Sequence, residues 1–290
     1  MSKKILVIVI CVLVFSFLSF ASYGLFVNEQ IKLQDYYMNS ENIHESIKIV
    51  LISDLHDHVF KENNQEIIDT ISEQNPDLIM MLGDFINDDS QDEGVLLHLV
   101  NELSKISTTY FALGNHEIEY MNRTGSDIIT KIEDLGVHVL DLEYEDIIVN
   151  GNHIRIGGMY DYAFALDGYD SCNPETMKPE VYQFLTEFQD TDDFKLMLAH
   201  RPDSFVLGEA SVTWDIDLVV SGHTHGGQFV LPVLGGLWAT EQGWFPEYVH
   251  GYYEKDNLKI YITSGLSSNK KLLPRFNNPA EIAVITLLGE

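Results

Sequence analysis

The sequence predicts a mixed α/β fold, with a largely parallel central sheet in its first half, a more antiparallel second half and an apolar helix ahead of both. Three observations carry this reading. Between residues 47 and 113, apolar runs that look like buried strands alternate with helical patterns. Those strands are apolar throughout instead of alternating, as expected when both faces are covered. The stretch Ile5 to Phe26 carries no charge and is long enough to cross a bilayer as a helix, which takes about 20 residues.

Of the 290 residues, 45% are hydrophobic and 21% charged, a globular balance able to enclose a full core. Acidic residues number 45 against 17 basic ones, a formal charge of −28. Such a surface repels nucleic-acid backbones and anionic lipid faces, so general nucleic-acid binding is excluded. An anionic substrate would need positive charge supplied inside its site. Of the two cysteines, Cys11 lies in the apolar leader, so Cys172 has no disulfide partner in the rest of the chain.

The leader opens with Lys3 and Lys4, and this basic flank places the N-terminal end in the cytoplasm and the following domain on the extracytoplasmic side. A cleaved signal peptide competes with this reading, since Ser22-Tyr23-Gly24 offers small residues. The apolar core, however, is longer than the roughly 7–15 residues of a signal sequence. The expectation is an uncleaved single-pass anchor in the cell membrane over 1–28, a polar juxtamembrane connector over 29–45, and one domain over 46–288.

Ile47 to Ile52 reads as the first strand and runs into Ser53-Asp54-Leu55-His56. The two-residue period of extended chain would put Asp54 and His56 on one side. A helical pattern with Ile67, Ile68 and Ile71 on one face follows and closes at Asn75-Pro76. Leu78 to Leu82 is a second buried strand ending in Gly83-Asp84. Leu96, Leu97, Val100 and Leu103 recur at helical spacing, and a third strand, Thr109 to Leu113, ends in Gly114-Asn115-His116-Glu117. Further on, Asn150-Gly151 marks a hairpin between Asp146–Val149 and His153–Ile156. Tyr160 to Lys178 reads as a loop, Glu180 to Phe188 as a short helix, and Phe194 to Ala199 as a strand ending in His200-Arg201-Pro202-Asp203. Ile216 to Val220 ends in Ser221-Gly222-His223-Thr224-His225-Gly226-Gly227-Gln228. An aromatic loop from Trp238 to Tyr248 reads as core or rim packing, with a lipid-binding lip as the alternative. A hairpin over Tyr252–Ile262 and a last strand, Glu281 to Leu288, complete the chain.

Five strand ends therefore supply Asp54, His56, Asp84, Asn115, His200, His223 and His225. In open α/β sheets, functional groups gather at the carboxyl ends of strands. Seven oxygen and nitrogen ligands are too many for one ion and suit two, with one carboxylate bridging. Carboxylate, amide and imidazole without thiolate fit manganese, with iron, zinc or nickel as alternatives.

Asp-x-His, Gly-Asp, Gly-Asn-His-Glu, a lone His and Gly-His-x-His, in that order over residues 46–288, closely resemble the calcineurin-like metallophosphoesterases. Together with Pro274-Arg275-Phe276-Asn277 and Glu281, the blocks around His200 and His223 resemble the membrane-associated YkuE/YaeI-like bacterial branch. The resemblance implies a four-layer αββα sandwich behind the transmembrane helix, and a metal-dependent phosphoric ester hydrolase, by branch a phosphodiesterase. It implies one ion held by Asp54, His56 and His225, another by Asn115, His200 and His223, and Asp84 bridging them. A hydroxide shared by the two ions would attack phosphorus in line, with His116 stabilising or protonating the leaving oxygen and Glu117 orienting that imidazole. Arg201 is a candidate phosphate contact because a guanidinium fork fits phosphate, with Arg275 a weaker one. Asp57-His58 departs from the branch pattern, where a small or apolar residue and then Gly commonly follow, and makes His58 a candidate substrate contact. A phospholipid, lipid-linked or sugar-nucleotide diester would suit an anchored enzyme. A phosphomonoesterase, or a non-catalytic membrane scaffold keeping the fold, are the alternatives. A zinc peptidase is disfavoured because no His-Glu-x-x-His helix is present.

Overall fold

The computed structural model describes residues 3–28, 30–160, 162–164, 172–268 and 273–289. A long helix, α1 (Lys3–Asn28), leads into β1 (Ile31–Ser40), β2 (Ile47–Ile52), α2 (Lys61–Glu73), β3 (Leu78–Met81), α3 (Gly94–Leu103), β4 (Thr108–Ala112), α4 (Asn115–Thr124), α5 (Ile128–Glu133) and β5 (His138–Leu140). The second half runs through β6 (Glu143–Val149), β7 (Asn152–Met159), α6 (Pro179–Phe188), β8 (Phe194–Ala199), α7 (Asp203–Val206), α8 (Ala210–Thr213) and β9 (Leu218–Ser221). Four two-residue strands follow: β10 (Val230–Leu231), β11 (Gly235–Gly236), β12 (Trp238–Ala239) and β13 (Gly243–Trp244). The chain closes with β14 (Gly251–Lys255), β15 (Leu258–Ile262) and β16 (Ala280–Gly289).

Two six-stranded sheets result, ordered β1-β16-β2-β3-β4-β5 and β14-β15-β9-β8-β7-β6. Ile47, Ile49 and Leu51 of β2, with Met80 and Tyr110, face Ile154, Ile156, Leu196, Leu198 and Val220 across the gap between the sheets. The alternate residues Val50 and Ile52 turn the other way, onto Ile67 and Ile71 of α2 and Leu96 and Val100 of α3. On the far side, Met197, Val219 and Ile260 pack on Phe184 and Phe188 of α6 and Phe205 of α7. The layers are therefore α, β, β, α. The period-2 geometry of a strand explains why β2 is apolar throughout: each side chain enters one of two cores. Full burial of each such side chain stabilises the fold by about 1.5–3 kcal/mol relative to exposure.

Three expectations change. Residues 31–40, read as connector, form an edge strand running parallel to β16, from Ile31 beside Ala280 to Ser40 beside Gly289. Only Met38 of this strand is buried, so its composition resembles a linker, and its partner lies some 250 residues away. The second sheet is antiparallel only at its margins, β6–β7 and β14–β15; the β7–β8, β8–β9 and β9–β15 pairs are parallel. Its long crossovers, through α6 and through α7 and α8, permit this. Asp54 and His56 are not in extended chain either, as described below. Part of the loop read over 160–178 lies outside the described residues.

The helix α1 is long and apolar enough to cross a membrane. It is exposed along its length except near Gly24, whose position against the Phe276 ring is so close that a Cβ would fall within 2.2 Å of it.

Candidate metal centre

The carboxyl ends of β2, β3, β8 and β9, with the first turn of α4, meet at one edge of the sandwich. Each motif glycine has a steric reason. A Cβ on Gly114 would lie 2.2 Å from Asp84 Oδ1, and one on Gly222 would lie 2.5 Å from Asp54 Oδ2. The glycines preceding Asn115 and His223 thus leave room for the two aspartates. Asp54, His56, Asp84, His223 and His225 all have positive φ, between 48° and 68°. For residues with a Cβ such backbone costs about 1–3 kcal/mol each, and it collects where a site imposes it. It also means that Asp54 and His56 converge through left-handed turns and not through strand alternation.

Two groups of ligand atoms form, each with its members within 4.8 Å of one another: Asp54, His56 and His225, and Asp84, His200 and His223. Asp84 joins them. Its Oδ1 accepts the His116 backbone N–H at 2.9 Å, while Oδ2 lies 3.1 Å from His200 Nε2 and 3.9 Å from both His56 Nε2 and His116 Nε2. Asp54 Oδ2 accepts the His223 backbone N–H at 3.1 Å.

One nitrogen of each imidazole is tied to an acceptor. Asn87 Oδ1 takes His56 Nδ1 at 3.0 Å, and the Asn87 amide is oriented by its own donation to Asp57 Oδ2 and the His56 carbonyl. His200 Nδ1 donates to the Leu82 carbonyl at 2.6 Å and His225 Nδ1 to that of Ser267 at 3.2 Å, with Asp54 Oδ1 3.6 Å from the same His225 nitrogen. His223 is reversed: Nε2 faces Glu241 Oε2 at 2.9 Å, so Nδ1 points inward, 3.1 Å from His200 Nε2. These partners assign the tautomers and leave one lone pair per ring for a cation, the usual support of ligating histidines. His56 Nε2 and Asn115 Oδ1 are buried without a hydrogen-bond partner. Buried polar atoms are rarely orphaned, and both suit divalent ions. The residues present therefore fit a pair of such ions.

The electrostatics agree. Burial pushes His56 down to about 3 and His225 well below its ordinary range, so both rings are neutral as ligands require. Burial raises Asp54. Burial acts the same way on Asp84, but His200 outweighs it and holds that carboxyl well below its usual range. His200 itself, although burial opposes its charge, is raised to about 9 by the Asp84 carboxylate. A bound divalent cation would displace that proton, since only the neutral ring ligates.

Around this core the expected roles shift. Glu117 does not orient His116 through the contacts described: its oxygens accept backbone N–H groups of Asp84 (2.8 Å), Phe85 (2.7 Å) and Gly114 (2.9 Å). It ties the loop after β3 to the start of α4. The His116 imidazole instead meets Asp88, whose backbone N–H donates to Nδ1 at 3.0 Å and whose carboxylate lies 3.2 Å away. Arg201 stands on the rim of the second group, 3.9 Å from Glu241, with its guanidinium over the Tyr160 and Tyr162 rings and hydrogen-bonded to the Tyr162 hydroxyl. Its Nε is buried without a partner. His58 is stacked edge-on with Phe60 at 4.5 Å in a cavity of about 200 Å³ that also involves Leu25, Asn28, Ser267 and Arg275. Arg275 is no phosphate ligand in this arrangement: it donates to the carbonyls of Ser264, Gly265, Ser267, Asn278 and Pro279.

Asn87, Asp88, Glu241 and Asp203 join the site without being among the ligands that the motifs mark. Asp203 is pushed up to about 6, first by burial and then by Glu241, and groups with His223 and Glu241. It stands in the His-Arg-Pro-Asp block, which was a usable signal. Glu241 sits in a loop of no regular pattern and offered none.

Comparison with known proteins places this geometry. A family model described as calcineurin-like phosphoesterase matches residues 47–227. An uncharacterized metallophosphoesterase of Campylobacter jejuni is 28% identical over 255 residues, covering 86% of this chain and 61% of that protein. The uncharacterized metallophosphoesterase YkuE of Bacillus subtilis is 28% identical over 84% of this chain and 79% of its own length. Phosphodiesterase YaeI of Escherichia coli is 27% identical over 83% and 82%. The chain thus spans about three fifths of the Campylobacter protein and most of the other two. With the motif order, the strand-end geometry and the matched span in agreement, this chain belongs to the calcineurin-like phosphoesterase family, whose members are metal-dependent phosphoester hydrolases.

Proposed function

We propose that the chain is a membrane-anchored, two-metal phosphodiesterase. The observation that carries this is the position of Asp84 Oδ2 between the two imidazole groups, with His56 Nε2 3.9 Å from it buried and unspent, and with Asn115 Oδ1, at the start of α4, buried and unspent as well. Asp54, His56 and His225 would hold one divalent ion, manganese by preference, Asn115, His200 and His223 the other, and Asp84 both. Such a pair, when bound, acidifies water and neutralises charge on a phosphoryl group held between the ions.

The chain's own residues do the rest. The Asp88 N–H holds His116 Nδ1 as an acceptor, which leaves the ring proton on Nε2, 3.9 Å from Asp84 Oδ2 and aimed into the centre. In that state Nε2–H would donate a hydrogen bond to the leaving oxygen; transfer of the proton itself needs the doubly protonated ring, whose Nδ1–H the Asp88 carboxylate 3.2 Å away would accept, so that neutral imidazole is left behind. Arg201, with an unspent Nε, would reach a phosphoryl oxygen from the rim. His58 lines a cavity shared with Ser267, whose carbonyl His225 uses, and is a candidate substrate contact on that side.

The apolar α1, with Lys3 and Lys4 at its start, supports a single-pass anchor with the domain on the extracytoplasmic side. Diester preference is supported by the name of the YaeI relative. The test is hydrolysis of bis-p-nitrophenyl phosphate against the monoester after chelation and readdition of Mn²⁺. Chelation should abolish turnover and Mn²⁺ restore it, with the diester preferred; turnover that survives chelation, or a monoester preference, overturns the corresponding part.

A further inference from the structure

Between Gly226 and Thr240 the chain carries no charged side chain, in a sequence whose formal charge is −28. This stretch folds into the β10–β11 hairpin, whose tip presents Val233 fully to solvent and Leu234 at 63% exposure. The adjoining β12–β13 hairpin leaves Trp244 and Phe245 equally open, at 63% each. The two hairpins are tied at Leu237, whose N–H donates to Gly227 and Phe229 and whose carbonyl accepts from Phe245. Grouped exposed apolar side chains mark a surface that meets another phase or molecule.

Beside this surface lies the C-terminal end of α1. Phe229, at the base of the first hairpin, stacks on Phe276 at 4.3 Å, and Phe276 meets Phe20 edge-on at 5.2 Å. The Asn277 N–H donates to the Gly24 carbonyl at 3.2 Å and its side chain to the Val230 carbonyl at 3.0 Å. Tyr23, Leu25 and Phe26 on the last turns of α1 are exposed as well. On its other flank the hairpin touches the metal centre: a Cβ on Gly227, two residues past His225, would lie 2.5 Å from Gly236 Cα. Glu241, between β12 and β13, reaches His223. The uncharged hairpin, through Gly227, and the turn after it, through Glu241, therefore bridge the end of the helix and the candidate ligands.

We propose that Val233 and Leu234, with Trp244 and Phe245, dip into the surface of the bilayer that α1 crosses, and that the centre so held acts on a phosphodiester carried by a membrane lipid. The proposal rests on the anchored-phosphodiesterase reading above. Apolar insertion and an interfacial Trp supply the contact without charge. The acidic remainder of the domain would be repelled by an anionic surface, so a zwitterionic one is the fitting partner.

The full chain, reconstituted in phosphatidylcholine vesicles, tests this through quenching of Trp fluorescence by lipids brominated high on the acyl chain. The wild type should be quenched, W244F should lose most of that quenching, and V233S/L234S should weaken it. In V233S/L234S, hydrolysis of a p-nitrophenyl phosphodiester of diacylglycerol in the vesicles, relative to soluble bis-p-nitrophenyl phosphate, should fall about tenfold. Brominated lipid without effect on a chain that floats with the vesicles would overturn the proposal, as would quenching and a rate ratio indifferent to V233S/L234S. A chain that fails to float would overturn the anchor and this proposal together. Inert bis-p-nitrophenyl phosphate would overturn the assigned reaction alone, because quenching is read without turnover.

Discussion

The two halves of the candidate centre are supported differently. Behind Asp54, His56 and His225 stand neutral acceptors, the Asn87 amide and the Ser267 carbonyl. Behind Asp84, His200 and His223 stand a carbonyl at Leu82 and the Glu241 carboxylate, with Asp203 beyond it. An amide or carbonyl orients an imidazole; a carboxylate also raises its basicity. The second half should bind its ion more tightly for that reason, and Arg201 lies close enough to temper the added charge. The first half is tied instead to the α1 side of the molecule, since Arg275 holds the Ser267 carbonyl that His225 uses.

The comparison can be broken most severely at the residue common to both halves. Asp84→Asn should lower hydrolysis of bis-p-nitrophenyl phosphate by on the order of 10³-fold and reduce bound metal, read by elemental analysis. His116→Gln belongs to neither half. It should lower kcat by about 10²–10⁴-fold with both metals retained; loss of metal would show that it is a ligand instead. The asymmetry itself is tested by Glu241→Gln against Asn87→Ala. Supporting groups of this kind are worth about 10–100-fold in metal affinity, and Glu241→Gln should fall at the upper end. Equal losses in a metal titration would mean that the carboxylate does no more than orient.

The smallest effect is expected outside both halves, at Glu281. This carboxylate on β16 accepts from Tyr261, Thr263 and His250 at 3.2, 3.0 and 2.5 Å. Burial alone would raise it, but these hydrogen bonds, the one from His250 foremost, hold it below its usual range. A depressed folded-state value stabilises the fold above the ordinary glutamate range, near 4.3, and that contribution fades as pH falls through the lowered value. Glu281→Gln should cost about 1–3 kcal/mol in denaturant unfolding at neutral pH and flatten the acid limb of the stability profile. Metal binding in either half should be unchanged.

Much of this arrangement was legible because it is local. The spans Ile47–Ile52 and Phe194–Ala199 coincide with β2 and β8 residue for residue, since a strand buried on both faces writes itself as an unbroken apolar run. The Asn150-Gly151 turn between β6 and β7 was equally plain. Of the readings open for the aromatic loop, core packing fails at Trp244 and Phe245, which are exposed, because an aromatic loop states its bulk and not which way it faces. The strand at 31–40 was missed for want of a visible partner.

The sequence by itself determined which side chains could ligate and that they lie where strands end, because ligand type and strand period are properties of a few consecutive residues. Only the tertiary structure decided which nitrogen of each ring turns inward, that Glu241 backs His223 and Asp88 backs His116, and that Glu117 serves the backbone. Those choices depend on hydrogen bonds between segments distant along the chain, whose pairing is set by the packing of two sheets and leaves no periodic trace in either segment.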